Sequence, residues 1–569
     1  MLTCTNGMPS DQQVLQFQMK AKINSSKDES IQRRSANYKP NIWKYDYIES
    51  LTSEYTADTY KHAEKLKEEV RFTFVETVEP LAKLELVDSI GKLGLATLFE
   101  EEIKDALDMI MCLKDNNLTI EEDLYATALR FRLLRQYGYN VSQDIFIRFV
   151  DETGNFMQST TTNVKAMLEL FEASYLALEG EKIMDKARMF STENIKTVIS
   201  NSDVSLAKQL STALELPLHW RLEWYNVTRN IHEYGKVGNI NSNLLKLAKL
   251  HFNMVQATHQ KDLKEIIRWW RNLGMARNLS FSRDRIIESY LFAVGVNFEP
   301  QYKHFRNWLA KVCKFIITID DVYDVYGSLQ ELELFTKAVD RWDSEEIQQL
   351  PECMKICFQA LYDTTNEIAF EIQRVKGGKS VLPHLRKAWE NFCKALLVEA
   401  KWYNQGYTPS LQEYLDNGWI SSGGSVLSIH VLFGVAHEIT DKVLHFLKNG
   451  EDLVYHISII IRLTNDQGTS AAELERGDAP SSILCYMREA NVSEEVAREH
   501  IRSIITKTWK SINNQCIAKS LSLVPFAKYI TNIARVSHFI YQNGDGYGVQ
   551  DHETRDQVVS LLIEPLALD

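Results

Sequence analysis

Apolar residues recur every three or four positions along much of this chain. In Glu102–Ile110 the side chains Ile103, Ala106, Leu107 and Ile110 make one stripe, the signature of a helix with one buried face. Only 11 Pro and 24 Gly interrupt 569 residues, so long helices are expected and the predicted fold class is all-α. The pattern lapses at Gly235-Lys-Val-Gly-Asn-Ile-Asn-Ser-Asn243 and resumes at Leu244. A Gly/Asn-rich lapse of this kind reads as a break between units, and the chain is too long for one small core. The expected organisation is a disordered leader over 1–32, an N-terminal helical domain over 33–240 and a C-terminal helical domain over 241–569.

Two apolar runs end in oxygen-bearing side chains. Phe315-Ile-Ile-Thr-Ile leads into Asp320, Asp321 and Asp324; on a helix Asp320 and Asp324 share a face, with Asp321 beside them. Carboxylates about 6 Å apart repel by roughly 3 kcal/mol at an effective dielectric near 20, so the cluster favours cations. An ordinary solvated helix end is the alternative. Downstream, Ile459-Ile-Ile-Arg-Leu leads to Asn465, Thr469 and Glu473 at i, i+4 and i+8, with Asp466 alongside. Oxygen donors of this type suit Mg²⁺ or Mn²⁺, and facing helices of a bundle commonly supply such sites. Arg283, Arg285 and Arg462 add guanidinium forks matched to phosphate oxygens. Two metal-type rows and three arginines form a set suited to a diphosphate.

The remaining composition mainly excludes. Hydrophobic content of 45% and charged content of 25% are ordinary for a soluble globular protein, and the net charge of −12 argues against a nucleic-acid partner. No run reads as long and apolar enough to span a membrane. Eight cysteines show no C-x-x-C or paired zinc spacing. Lys376-Gly-Gly-Lys-Ser380 ends like a phosphate loop but has Gln373 where a glycine is needed, and reads as a solvated loop. His430 and His437 are expected on one helix face in ordinary core or surface roles. The leader has no arginine and carries Asp11, Asp28 and Glu29, whereas plastid transit peptides are Ser- and Arg-rich with few acids. A cytoplasmic location is expected, with the plastid as the alternative.

The combination resembles the class I plant terpene synthases from about Arg33 to the C-terminus. The resemblance rests on Arg33-Arg34 followed by eight residues and Trp43, on Leu129–Gln136, Leu168–Tyr175 and Leu216–Arg221, and on Arg268-Trp-Trp270, Phe298-Glu-Pro300 and Gly544-Asp-Gly-Tyr547. It implies an N-terminal α-barrel that is a catalytic relic, since D-x-D-D is absent from that half, and a C-terminal α-bundle that ionises prenyl diphosphates with three divalent ions. By the same resemblance Asp320, Asp321 and Asp324 hold metal on one wall, and Asn465, Thr469 and Glu473 on the other. Asp320, Asp324 and Asn465 would thereby meet the substrate, together with Arg283, Arg462 and Trp269, and Arg285 would help retain the departing diphosphate. Phe292, Tyr541 and Tyr547 would line the pocket, Asp545 would stand near its mouth, and Arg33, Arg34 and Trp43 would close it. A K⁺-responsive loop at Gly477–Ser482 and a monomeric state are further expectations.

Segments such as Ala338–Ser344, Gln349–Lys355 and Lys394–Tyr403 look particularly like those of the α-farnesene-forming members. That implies farnesyl diphosphate as substrate and an acyclic product. Many cyclising members carry Trp where this chain has Phe292. The alternatives are a plastid-type enzyme making isoprene or an ocimene, or a cyclic sesquiterpene synthase.

Overall fold

The computed structural model describes residues 33, 35–112, 123–157, 163–236, 238, 240–476, 480–518, 524–550 and 552–568. The expected leader 1–32, Arg34, and positions 477–479 of the expected K⁺-responsive loop lie outside the described residues. Within them the chain is helical, with two isolated bridges, Val150 to Phe156 and Gly378 to Ile439.

The N-terminal part runs α1 (Tyr45–Ser50), α2 (Ala57–Glu76), α3 (Pro80–Lys92), α4 (Glu100–Cys112), α5 (Leu124–Gln136), α6 (Val164–Ser174), α7 (Lys182–Ile199), α8 (Val204–Glu215) and α9 (Val227–Tyr234). Helix α5 is buried on every side from Leu124 to Arg135, although it carries three arginines. Arg132 and Arg135 are matched by carboxylates. Arg132 pairs with Glu169 of α6 and, at 2.6 Å, with Asp88 of α3, while Arg135 pairs with Glu181 and donates to the carbonyls of Val141 and Leu176. Buried guanidinium groups are tolerated only when paired in this way.

Asn241 caps α10 (Ser242–Leu273) by accepting from the N–H groups of Asn243 and Leu244, which is why the helical pattern restarts there. At about 1.5 Å per residue α10 is roughly 48 Å long. It packs on α2 at one end and on α12 (Ile286–Val296) and α13 (Lys303–Asp321) at the other, after the short α11 (Met275–Asn278). The C-terminal bundle continues through α14 (Leu329–Arg341), α15 (Glu352–Lys376), α16 (Leu382–Gln405), α17 (Leu411–Ser421), α18 (Gly424–Val435), α19 (Asp441–Asn449), α20 (Glu451–Arg476), α21 (Ser482–Ala490), α22 (Glu494–Ala518), α23 (Val524–Tyr541) and α24 (His552–Val558). Helices α12, α13, α18, α20 and α23 pack on one another in sequence, with α16 and α17 completing the wall.

Two expectations are corrected here. Leu411–Val435 is 25 residues long and contains an 18-residue window of mean hydropathy 1.3, enough by length and composition to cross a membrane. It is nevertheless two helices, broken where Gly423 takes φ +75°, and its apolar surface faces the bundle interior. His430 and His437 do not share a helix face, because α18 ends at Val435; His430 is buried against the Val426 carbonyl at 2.8 Å.

Candidate functional site

The first acidic row lies where α13 changes its winding. The α-helix ends at Asp321, and Val322–Tyr326 forms one π turn, closed by the Gly327 N–H on the Val322 carbonyl at 2.8 Å. Asp320 and Asp324 therefore flank a change of pitch instead of sitting one regular α turn apart, and π turns of this kind gather at functional sites. The three aspartates have different environments. Asp321 is fully buried and accepts from Ser282 Oγ, the Arg283 N–H and Arg283 Nε, all at 2.8 Å. Asp320 keeps 33% of its side chain accessible and receives Arg283 Nη2 at 2.7 Å. Asp324 is exposed. The expectation of Asp321 as a direct metal ligand is thus corrected: both its oxygens are spent holding Arg283, because a buried carboxylate must be fully hydrogen-bonded.

The arginines also divide. Arg283 is nearly buried, clamped between Asp320 and Asp321, with the Tyr38 ring 4.9 Å from its guanidinium carbon. Burial works against its charge, but Asp321 and Asp320 outweigh that and hold its pKa well above the ordinary value. Arg285 does not face the aspartates as expected. It is fully buried and gives its three nitrogens to carbonyls, Nε to Tyr547 at 2.8 Å, Nη1 to Asp284 at 3.0 Å and Nη2 to Lys39 at 3.1 Å. It is buried among these carbonyls and ties the N-terminal segment and the Asp545–Tyr547 loop to the start of α12, away from the acidic rows.

The second row lies on α20, which is continuous from Glu451 to Arg476, so Asn465, Thr469 and Glu473 do share a stripe. Asn465 Oδ1 receives Arg462 Nη1 at 3.2 Å, and Thr469 Oγ1 bonds the Asn465 carbonyl at 3.0 Å. Asp466 turns inward, accepting from Tyr414 Oη at 3.0 Å and the Ser482 N–H at 2.8 Å. Burial first, and Asp466 second, push Glu473 up to about 8. Burial also lifts Asp320 above the usual carboxylate range, opposed first by Arg283 and more weakly by Arg462. Arg462 of α20 and Asp320 of α13 thus act on each other across one space, and Asp545 acts on Glu473 across the same space. With α13 and α20 both packed on α18, the two rows lie close enough to face one hollow.

Two residues of this hollow were not singled out in the sequence. Glu399 of α16 is buried, accepts from Ser421 Oγ at 2.5 Å, and is held above the usual carboxylate range by burial against the pull of Arg462. Tyr414 of α17 holds Asp466. A signal for Glu399 was present: it interrupts the apolar stripe Leu385, Ala388, Phe392, Leu396, Trp402 of α16.

The expected pocket aromatics separate as well. Phe292 is buried on the stripe of α12 that carries Arg285 and Ser289. Tyr547 Oη lies 3.3 Å from Cys313 Sγ of α13, and the Tyr541 ring is 6.4 Å from that of Tyr547. Gly468 lets the Tyr541–Gly544 carbonyls approach α20, since a Cβ there would stand 2.8 Å from the Tyr541 oxygen. Trp269 is corrected. It packs on Phe315 and under the Lys311 ammonium, 5.2 Å from its ring. Lys311 precedes Asp320 by nine residues, half a rotation around α13, so Trp269 lies behind that helix and outside the hollow.

The N-terminal segment crosses the mouth. Arg33 forks onto Glu331 of α14 at 2.5 and 2.9 Å, donates to the Tyr326 carbonyl at 3.0 Å and stacks over the Tyr326 ring at 4.2 Å. Tyr38 covers Arg283, Lys39 receives Arg285, and Trp43 Nε1 donates to the buried Glu288 carboxylate at 2.8 Å.

The donor set fits divalent cations. Among the described residues no three carboxylate, histidine or cysteine groups converge on one point. The rows instead offer Asp320, Asp324, Asn465, Thr469 and Glu473, hard oxygens that leave positions for water and phosphate, as Mg²⁺ requires. A two-part helical fold with facing oxygen rows and phosphate-type arginines is suited to a metal-dependent enzyme acting on a diphosphate.

Comparison with known proteins agrees. Residues 271–511 match "Terpene synthase family, metal binding domain" and residues 42–214 match "Terpene synthase, N-terminal domain". This chain belongs to the terpene synthase family. Its relatives include an α-farnesene synthase of Ricinus communis, 53% identical over 95% of this chain and 96% of that protein. They also include an (E,E)-α-farnesene synthase of Malus domestica, 52% identical over 98% of each. Solved structures similar to it include a limonene synthase with 2-fluorolinalyl diphosphate, at a TM-score of 0.90 and 37% identity over 94% of this chain and all of that one. Another is the isoprene synthase of grey poplar with three Mg²⁺ ions and dimethylallyl-S-thiolodiphosphate, at a TM-score of 0.84 and 43% identity over 93% and 99%.

Proposed function

We propose that this protein converts (E,E)-farnesyl diphosphate to (E,E)-α-farnesene and diphosphate. Similarity above 50% over nearly the whole chain to two α-farnesene synthases carries this reading. Asp320 and Asp324 would hold divalent ions on one wall, and Asn465, Thr469 and Glu473 would hold them on the other. Such ions neutralise the diphosphate and stabilise it as a leaving group. Glu399 and Asp466 orient the second wall through Ser421, Arg462 and Tyr414. Arg462 and Arg283 would meet the departing diphosphate.

The hydrocarbon chain lies against the buried Phe292 and Tyr547 and the partly buried Tyr541, an apolar lining that excludes the water that would give an alcohol. Phe292 offers a smaller π face than the tryptophan of many cyclising relatives, so it favours loss of a C4 proton over ring closure. Arg33 and Trp43 hold the N-terminal segment across the mouth during turnover. The substrate pool is the cytosolic one, and Mn²⁺ serves beside Mg²⁺.

The test is gas chromatography–mass spectrometry of products from dimethylallyl, geranyl and farnesyl diphosphates, each with Mg²⁺, with Asp320→Ala as control. α-Farnesene from the C15 substrate, lost in the control, is the expected result. Turnover confined to a C5 or C10 substrate overturns the reading.

A further inference from the structure

We infer that Tyr225, which lies outside the catalytic bundle in sequence, is a positioning residue that sets the product-determining wall of the pocket through the Leu291–Phe292 peptide. Tyr225 precedes α10 and falls between the two stretches matched to the family, 42–214 and 271–511. Its side chain is buried inside the C-terminal bundle. The hydroxyl donates to the Leu291 carbonyl at 2.7 Å. That carbonyl belongs to the same peptide plane as the Phe292 N–H, so the bond fixes the tilt of the unit from which the Phe292 side chain departs.

The contact has its own fitted space. A Cβ at Gly295 would stand 2.5 Å from the Tyr225 hydroxyl and 2.8 Å from Val536 of α23. Only glycine at position 295 lets the phenol enter between α12 and α23. Burial, and secondarily the neighbouring Cys313 thiol, hold the phenol well above its ordinary pKa, so it is a permanent donor. Cys313 in turn touches Tyr547 Oη at 3.3 Å, which places the phenol beside the Cys313–Tyr547 pair of the pocket wall.

Tyr225 is held rigidly from outside. Its ring meets Phe539 of α23 edge-on at 4.8 Å, and its carbonyl accepts Gln557 Nε2 at 2.7 Å. The preceding Trp224 stacks on Phe298 at 4.0 Å and 5°. The N-terminal half therefore reaches through the bundle wall and bears on the residue proposed to discourage cyclisation.

The inference rests on the proposed reaction, and the test separates the two. Tyr225→Phe keeps the ring and removes the donor; Gly295→Ala acts on the same contact from the other side. Wild type and both variants, with the double variant, are given farnesyl diphosphate and Mg²⁺, and product ratios, KM and Tm are measured. A single hydrogen bond of ordinary strength corresponds to a shift of about three- to tenfold in the ratio of major to minor products. That shift is expected in Tyr225→Phe with KM within about twofold, and in Gly295→Ala in the same direction, with less than additive effect in the double variant. A lowered Tm with unchanged product ratio in Tyr225→Phe means a purely structural contact and overturns the inference. Should Gly295→Ala fail to fold, Tyr225→Phe alone decides. If wild type turns over only a C5 or C10 substrate, the proposed function fails, and the same ratios measured on that substrate still decide the role of Tyr225.

Discussion

Arg33 and Glu331 are 298 positions apart in the chain and form a two-pronged ion pair at 2.5 and 2.9 Å across the mouth of the bundle. Glu331 is also the third residue of a capping box, its carboxylate receiving the Ser328 N–H at 2.8 Å. One carboxylate thus starts the helix after the first acidic row and anchors the segment that covers it. Glu331→Gln can keep the box while losing the charge. We expect it to leave Tm nearly unchanged and to lower kcat about ten- to a hundredfold, the scale of one charged hydrogen bond of about 1.5–3 kcal/mol. A kcat equal to wild type would remove the Arg33 anchor from the mechanism.

Adjacent aspartates should fail in opposite ways. Asp320→Ala removes a partly accessible group, so unfolding free energy should change by less than about 1 kcal/mol while turnover disappears. Asp321→Asn leaves the buried Arg283 short of its counter-charge and should cost about 2–3 kcal/mol of stability. Urea unfolding of both variants tests the contrast, and equal stabilities would contradict the environments found for the two groups.

Metal and diphosphate should stabilise only together. Mg²⁺ with inorganic diphosphate, each saturating near 100 times its dissociation constant, should add about 2.7 kcal/mol of apparent stability. Asp320→Ala and Glu473→Gln should abolish the increment. A melting curve unaffected by the pair in wild type would count against a metal-lined hollow.

Acid should weaken the fold through histidines buried in neutral form. Burial holds His219 and His538 down to about 3, and His251 and His430 down to about 4. His538 packs against both Trp220 and Trp509, receiving Trp509 Nε1 at 2.9 Å. Unfolded chains take up these protons below about pH 6.5 and the folded chain does not. The stability is therefore complete above pH 6.5 and is lost progressively down to about pH 3–4. Each such histidine contributes up to about 1.4 kcal/mol per pH unit. Denaturant midpoints that stay flat between pH 7.5 and 5 would refute this.

Phe292→Trp should move part of the product from acyclic to cyclic sesquiterpenes, with KM little changed. An unaltered product spectrum at unaltered rate would leave Phe292 as a space-filling residue.

The sequence by itself determined the helical class, the lapse before α10, and the identity of both oxygen rows. These features depend on residue type at short spacing, which the 3.6-residue period makes legible: Asn465, Thr469 and Glu473 share a face on any α-helix. Tertiary structure alone decided how chemically equal residues were divided. Asp321 and Asp320 differ because Ser282 and Arg283 pack against one side of α13 and the hollow opens on the other. Arg285 became a tie instead of a phosphate donor because Lys39 and Tyr547, far away in sequence, bring carbonyls to it. Trp269 fell behind α13 through the rotation of that helix against α10. Tyr225 reached Leu291 because Gly295 left room for it. Local pattern fixes which face a side chain occupies, whereas burial and hydrogen-bond satisfaction among distant segments decide what that face meets.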